Sequence, residues 1–272
     1  MSMVDTYFMV ALEIVKSAGK LITEHVKGCK DYKLKSCDID LVTEVDKAVE
    51  TTILSKLKEE FPHHAFIGEE SVAEGARVVL TDEPTWVLDP IDGTLNFVHG
   101  FPHSCISLGL LINKVPEMGI IYNPIMNQLF TALKHQGAYL NDQIIHVSKV
   151  KELKGALVAF EAGTSRDADK MKVVRENFDQ IISKAQGMRA LGSAALNMAM
   201  VAMGAADANF EFGIHAWDVA AGTIIVREAG GVVIDPAGGP FDILSRRVLC
   251  AGTKELAEEL SKTLVQYYPE RD

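Results

Sequence analysis

Apolar side chains recur along the first half of the chain at two spacings, one typical of helices and one of strands. In residues 4–26 they follow a period of about 3.6 residues, and in residues 46–61 they step by four, as Val49, Ile53 and Leu57 do. Both patterns predict helices. Apolar runs predict strands at 65–67, 86–88, 104–112, 118–122 and 128–133. The strands at 104–112 and 118–122 are expected to form an antiparallel pair about Asn113-Lys114.

The second half of the chain alternates strands with helices. Strands are predicted at 156–160, 187–191, 206–212 and 232–234, and helices at 168–184, 194–203, 217–229 and 254–267. Ser193 is expected to cap the helix at 194–203, and Gly204 to end it. The alternation predicts layered sheets and helices in an α/β (α+β) fold. We treat residues 1–272 as one unit, with a possible sub-boundary near 148–155.

Composition and charge narrow the classes of function. The 272 residues are 48% hydrophobic and carry a formal net charge of −10, which argues against a broad nucleic-acid surface. A site for anionic substrates would therefore need local positive charge, and a bound metal is one source of it. No apolar run reaches the roughly 18 to 20 residues that cross a bilayer, and residues 1–18 resemble an amphipathic helix more than a signal peptide. The cysteines are scattered along the chain, which favours free thiols and a cytoplasmic location. They are Cys29, Cys37, Cys105 and Cys250.

The strongest chemical signal is the stretch Trp86-Val87-Leu88-Asp89-Pro90-Ile91-Asp92-Gly93-Thr94. A buried strand leads into two carboxylates three residues apart, and Pro90 fixes the backbone between them. Two aspartates and the Ile91 carbonyl suit Mg²⁺, which prefers oxygen ligands. The N–H groups of Gly93 and Thr94 could hold a phosphate. The alternative is a plain turn, in which Asp89 caps and Asp92-Gly93 reverses the chain.

Three further acidic residues occur at strand ends or helix starts. Glu69 follows the strand at 65–67, Asp218 lies at the start of the helix at 217–229, and Asp46 at the start of the helix at 46–61. Each alone is most simply a helix cap or a solvated charge. Together with Asp89 and Asp92 they could form a carboxylate cluster that metal ions would neutralise.

Several of these segments resemble the signature sequences of the inositol monophosphatase family. The main ones are Gly68-Glu69-Glu70, Asp89-Pro90-Ile91-Asp92-Gly93-Thr94-Leu95-Asn96-Phe97 and Trp217-Asp218-Val219-Ala220-Ala221-Gly222. The similarity extends to Asp40-Leu41-Val42-Thr43 with Asp46, Gly192-Ser193-Ala194-Ala195, and Gly230-Gly231. It implies a layered αβαβα sandwich of the sugar-phosphatase type, a homodimer, and inhibition by Li⁺.

The resemblance also implies a role for each site residue. Two or three Mg²⁺ ions would be held by Glu69, Asp89, the Ile91 carbonyl, Asp92 and Asp218. Glu69, Thr94 and Asp46 would be catalytic, with Thr94 and Asp46 orienting or deprotonating the attacking water. The residues implied in substrate binding are Asp92, Gly93, Thr94, Ala195, Glu211 and Asp218. Lys35 could lend its charge near the third ion.

The activity implied is hydrolysis of myo-inositol monophosphate by a Mg²⁺-activated water, without a covalent intermediate. A small phosphate monoester is the expected partner, and neither nucleic acid nor a membrane is. One alternative is a related lithium-sensitive phosphatase acting on a bisphosphate nucleotide or a sugar phosphate. Another is a non-catalytic metal-binding regulatory protein. Two local alternatives also stay open, since Glu211 could be a surface residue and His215 a packing residue.

Overall fold

The computed structural model describes residues 3–26, 31–35 and 41–272, with only the backbone described at Leu41. Cys29, Cys37 and Asp40 lie outside the described residues. The helices are α1 (Met3–His25), α2 (Glu44–Glu60), α3 (Glu69–Ala73), α4 (Thr94–His99), α5 (Ala168–Ile182), α6 (Ala194–Ala202), α7 (Ala216–Glu228) and α8 (Lys254–Thr263). The strands are β1 (Tyr32–Leu34), β2 (Leu41–Thr43), β3 (Ala65–Gly68), β4 (Thr85–Asp92), β5 (Cys105–Ile112), β6 (Val115–Asn123), β7 (Gln128–Leu133), β8 (Ala138–Leu140), β9 (Gln143–Ile145), β10 (Leu157–Phe160), β11 (Gly187–Arg189), β12 (Ala208–Phe212), β13 (Val232–Ile234) and β14 (Arg247–Ala251).

The strands form two main sheets. The larger has the order β3-β4-β5-β6-β7-β8-β9, in which β3 and β4 are parallel and each later neighbour is antiparallel. The antiparallel pairing of β5 with β6 about Asn113 and Lys114 is the predicted one. The smaller sheet has the order β11-β10-β12-β14-β13, and β10 pairs in parallel with both of its neighbours. A separate short pair joins β1 to β2.

Alternation along β4 divides the core between the two faces of the larger sheet. Trp86 and Leu88 point to the face covered by α1 and α2, whereas Val87 points to the face covered by α6 and α7. The helices α6 and α7 also pack against the smaller sheet, whose outer face is covered by α5 and α8. The order helix, sheet, helix, sheet, helix confirms the predicted αβαβα sandwich.

Glycine allows α7 to approach the larger sheet closely. A Cβ at Gly119 of β6 would lie 2.6 Å from the carbonyl oxygen of Ala221. Since that neighbour is backbone, it cannot move aside by changing rotamer. The helix α7 is therefore held directly on the sheet that carries β4.

One predicted boundary is wrong, and one strand is not predicted. The last helix ends at Thr263 instead of residue 267, because Asn177 of α5 exchanges hydrogen bonds with the backbone of Val265 and holds it in an extended segment. The pattern also does not predict β14, whose residues are buried on both sides and so lack a polar alternation. The single unit with a sub-boundary near 148–155 stays a prediction. Within the described ranges, no helix is long and apolar enough to span a bilayer.

Candidate active site

The strand β4 carries two buried carboxylates to its end. Asp89 and Asp92 are 3% and 6% exposed, and β4 is buried along its whole length. Pairing with β5 is regular up to Asp89 and irregular between Asp89 and Asp92, where Pro90 has no N–H to donate. Asp89 accepts a hydrogen bond of 3.0 Å from the backbone N–H of Ile91. Both carboxylates therefore lie together just beyond the regular ladder.

Gly93 connects β4 to α4 in a left-handed conformation with φ of 86°. A Cβ at this position would lie 2.9 Å from the carbonyl oxygen of His103 and 3.0 Å from that of Gly192. Both neighbours are backbone atoms, so the space cannot be made by a side chain moving. Glycine thus lets the turn after β4 press against the loop that precedes α6.

We expect Gly93→Ala to lower the free energy of unfolding by about 2 to 4 kcal/mol, because left-handed strain and a backbone clash add together. Gly75→Ala is the matched control, since Gly75 has a φ of 106° but nothing within 4 Å of a Cβ. That variant should lose only the conformational part, roughly 1 kcal/mol. Urea denaturation of both measures the difference. Equal losses would remove the close approach as a source of stability.

Asp218 completes a compact group of carboxylates. It lies in the first turn of α7, where its Oδ2 accepts a hydrogen bond of 2.7 Å from the backbone N–H of His215. One oxygen each from Asp89, Asp92 and Asp218 lies within 4.8 Å of the other two. This group is able to bind a metal ion.

Burial and nearby negative charge raise the pKa of all three carboxylates. Burial, followed by the charge of Asp218, raises the pKa of Asp92 to about 7. Burial also raises the pKa of Asp218 to about 6, and raises that of Asp89 well above its usual range. Buried like charges are costly without a counter-ion. A hard divalent cation with oxygen ligands therefore fits this donor set.

Asp92 also lies against the start of α6. Its carboxylate accepts hydrogen bonds from the Ser193 hydroxyl at 2.5 Å, the Ala194 N–H at 3.2 Å and the Ala195 N–H at 2.7 Å. Ser193 was expected only to cap α6, and its oxygen does accept from the N–H of Leu196. In this structure the Ala195 amide, to which the family resemblance gives a role in substrate binding, donates its hydrogen bond to Asp92. The loop before α6 is thereby attached to the end of β4.

Thr94 connects the turn to Asp46 of α2. Its hydroxyl lies 3.0 Å from Asp46 Oδ1 and 2.9 Å from the Ile91 carbonyl oxygen. Asp46 is fully buried, and Thr43, which caps α2, donates to its Oδ2 from both the N–H and the hydroxyl. Burial raises the pKa of Asp46 to about 6, although the Thr43 hydrogen bonds act in the opposite direction. The pair Thr94 and Asp46 can thus hold a proton between two oxygen atoms.

Glu69 is the first residue of α3, and ion pairs and backbone hydrogen bonds hold this start of the helix in place. Lys35 donates to Glu69 at 2.7 Å and to Glu70 at 2.6 Å. Glu50 of α2 accepts from the backbone N–H groups of Glu70 and Ser71, both at 2.8 Å. The sequence does not predict this role of Glu50, because Glu50 occupies an ordinary position within α2 and is distant in sequence from Glu69.

A cavity of about 720 Å³ brings most of the predicted residues together. Its lining includes Glu69, Asp89, Ile91, Asp92, Gly93, Thr94, Glu211 and Asp218, and Lys35 as well. Asp46 and Ala195 are outside this lining, and they reach it through Thr94 and Asp92. The carboxylates and the turn that follows β4 thus share one space.

Glu211 lies at the far side of this cavity, on β12 of the smaller sheet. It is only 5% exposed, so the surface alternative is wrong. Its Oε2 is buried and has no hydrogen-bond partner among the described residues. Burial, with the charges of Glu161 and the aspartates, raises its pKa well above the usual range.

His215 is a packing residue beside the cluster. Its ring stacks on Trp217 with centroids 4.4 Å apart, and its Nδ1 lies 2.6 Å from the Asp272 carboxylate. Asp272 also accepts from the N–H of Ala216 at 3.1 Å. These contacts fix the start of α7, which carries Asp218, and the sequence pattern gives no signal of Asp272.

Buried carboxylates gathered beside a glycine turn at one cavity, within a layered α/β fold, fit the class of metal-dependent phosphatases. The comparisons with known proteins identify the group within that class. Residues 3–268 match the family model described as the inositol monophosphatase family. The chain belongs to this family, whose members are metal-dependent, and it is a hydrolase of phosphoric monoesters.

The similarity covers nearly all of the chain. The chain is 44% identical over 263 residues to inositol monophosphatase 1 of Homo sapiens, and this alignment covers 96% of the chain and 95% of the relative. It is 45% identical over 261 residues to inositol monophosphatase 2 of Rattus norvegicus, covering 96% and 90%. The solved inositol monophosphatase of Anabaena (Nostoc) superposes with a TM-score of 0.84 at 33% identity, covering 96% of each chain.

Proposed function

We propose that the protein hydrolyses myo-inositol monophosphate to myo-inositol and phosphate, with Mg²⁺ as the metal. The observation that carries this proposal is the placement of the Asp89, Asp92 and Asp218 carboxylates in one cavity with Glu211. The first group suits a cation and its bound phosphate. The second is a buried carboxylate whose Oε2 has no hydrogen-bond partner among the described residues, and it suits the hydroxyl groups of a polyol.

Glu69, Asp89, the Ile91 carbonyl, Asp92 and Asp218 are the groups that would hold two or three Mg²⁺ ions. The raised pKa values of Asp89, Asp92 and Asp218 support this assignment. When bound, the ions would neutralise charge on the phosphate and lower the pKa of water, so that hydroxide is available near neutral pH.

The protein's own groups would position the substrate and move the proton. The N–H groups at the start of α4, from Gly93 and Thr94, would donate to the phosphate oxygens. The Thr94 hydroxyl would accept a hydrogen bond from the attacking water while it donates to Asp46 Oδ1 at 3.0 Å. As the water's proton moves to the Thr94 oxygen, the Thr94 proton moves to Asp46, whose pKa burial already raises to about 6.

The leaving group would lie toward the smaller sheet. Glu211 would accept hydrogen bonds from its hydroxyl groups, and Asp92 and Asp218 would line its path. The Ala195 amide would act through its hydrogen bond to Asp92. Phosphate esters without hydroxyl groups would not use Glu211.

We expect Glu211→Gln to raise KM for myo-inositol 1-phosphate about tenfold and to change KM for phenyl phosphate by less than roughly twofold. The amide keeps the size of the side chain but donates where the carboxylate only accepts. Steady-state kinetics on both esters measures the contrast. Equal losses on the two substrates would take Glu211 off the substrate-binding surface.

The function is tested by phosphate release from myo-inositol 1-phosphate across a Mg²⁺ titration, with and without Li⁺. Release that requires Mg²⁺ and falls with Li⁺ supports the proposal. Release only from adenosine bisphosphate or fructose bisphosphate would replace the substrate and keep the metal chemistry. Failure with every ester would favour a metal-binding regulatory protein.

We also propose a cytoplasmic homodimer. The buried thiols Cys105 and Cys250, free within the described residues, suit a reducing compartment. Sedimentation equilibrium tests the dimer, and a mass of 29.7 kDa at all concentrations would contradict it.

A further inference from the structure

A buried lysine lies behind the polyol side of the cavity. Lys170 is on α5 and only 2% exposed, and its Nζ has no hydrogen-bond partner among the described residues. A lysine ammonium buried in this way is unusual, because desolvation of the charge is costly unless an opposite charge compensates it. The proposed mechanism does not use this residue, and no sequence motif includes it.

Two glycines of the cavity lining make room for the lysine tip. Gly163 and Gly213 have φ values of 67° and 80°, and a Cβ on them would lie 2.6 Å and 2.9 Å from Lys170 Nζ. Both glycines line the cavity, so the ammonium group lies directly behind its wall. Gly213 lies two positions after Glu211, just beyond the end of β12.

Glu211 is the opposite charge with the strongest influence on Lys170. Burial lowers the pKa of Lys170, as do Arg246 and Arg166, whereas Glu211 acts most strongly against them, ahead of Asp167. The negative charges of Glu161, Asp218 and Asp92 raise the pKa of Glu211. Lys170 acts in the opposite direction and lowers this pKa. Glu211 and Lys170 are thus two buried groups without a hydrogen bond between them, and each favours the charged form of the other.

We propose that Lys170 is a positioning and specificity-determining residue, which supplies the counter-charge that holds the Glu211 carboxylate as an acceptor for leaving groups rich in hydroxyls. The ammonium group acts through Glu211 and does not touch the substrate. Gly163 and Gly213 leave the space in which this ammonium group lies. This inference rests on the proposed function, since it assumes that the leaving group lies against Glu211.

The test is a double-mutant cycle between Lys170→Met and Glu211→Gln, measured with myo-inositol 1-phosphate and phenyl phosphate. Methionine keeps the length of the lysine stem and removes the charge. We expect Lys170→Met to raise KM for the inositol ester about tenfold, with kcat and both phenyl phosphate constants within roughly twofold. In the Glu211→Gln background the same substitution should change KM by less than roughly twofold, because the neutral amide needs no counter-charge.

Lys172→Met is the matched control. It removes the same charge from an exposed position of the same helix and should leave both substrates unaffected. A loss of equal size on both esters, or a full effect of Lys170→Met in the Glu211→Gln background, would overturn the inference. If Lys170→Met does not fold, Lys170→Gln carries the same comparison.

Failure of the proposed function is distinguishable from failure of this inference. If wild-type enzyme releases phosphate from phenyl phosphate but not from the inositol ester, the substrate assignment fails. The cycle is then measured with glycerol 2-phosphate, another ester of a hydroxyl-bearing alcohol. Absence of coupling between positions 170 and 211 there would overturn the role of Lys170, and coupling would support it.

Discussion

Replacing Asp92 by asparagine is expected to lower kcat by on the order of 10³ while the fold is kept. Asp92 is the carboxylate that joins the metal-binding group to the start of α6, through Ser193 and the N–H groups of Ala194 and Ala195. Asparagine has the same size and can accept some of these bonds. It cannot offer the second anionic oxygen that a cation needs, so turnover should fall far more than stability does.

The measurement is kcat at saturating Mg²⁺, together with circular dichroism and thermal unfolding. Asp82→Asn is the matched control, because Asp82 is exposed and its only recorded ion pair within the described residues is a 3.8 Å contact with Lys114. It should retain full turnover. Near-normal kcat for Asp92→Asn would remove this residue from the metal-binding group.

The second large effect concerns stability without metal. We expect the metal-free protein to melt about 5 to 10 °C higher at pH 5 than at pH 8. Asp92, Asp218 and Asp46 have pKa values of about 7, 6 and 6 in the folded protein, raised from 3.8. A raised pKa contributes stability that is complete below 3.8 and is lost as the pH rises through 6 to 7.

Excess Mg²⁺ should shrink or reverse that difference. The cation binds the deprotonated carboxylates of the folded state, which stabilises it by about 2.7 kcal/mol at a hundred times Kd. Thermal unfolding in a chelator and in Mg²⁺, at pH 5 and pH 8, gives the four values needed. Asp92→Asn should flatten the metal-free pH dependence and Asp82→Asn should not. If the metal-free protein is more stable at pH 8 than at pH 5, folding does not raise the pKa values of these carboxylates.

The sequence predicts the parts of the fold and site that depend on local pattern. Alternation in β4 places Val87 and Leu88 on opposite faces. Pro90 restricts the backbone near the end of this strand, and Gly93 permits the turn after it. The capping of α6 by Ser193 is likewise predicted from neighbouring residues. Resemblance to the family then supplies the long-range association of Glu69 and Asp218 with this turn.

What the sequence does not predict depends on contacts between distant segments. Glu50 and Lys170 occur in helices where a charged residue is ordinarily solvated, and only the packing of other elements buries them. The same holds for β14, which becomes a central strand because β12 and β13 lie on either side of it. Asp272 contacts His215 across the fold, and no spacing along the chain records that contact.

The cavity draws its walls from three separate layers. Asp92 belongs to the larger sheet, Glu211 to the smaller sheet, and Asp218 to the helix layer between them. A shift of one sheet past the other by the rise of one residue, about 3.3 Å, would separate these groups while every strand ladder stayed intact. The rate of the reaction therefore depends on the alignment of the two sheets. Disruption of the packing of α6 and α7 would slow the enzyme before it changed the content of helix and strand.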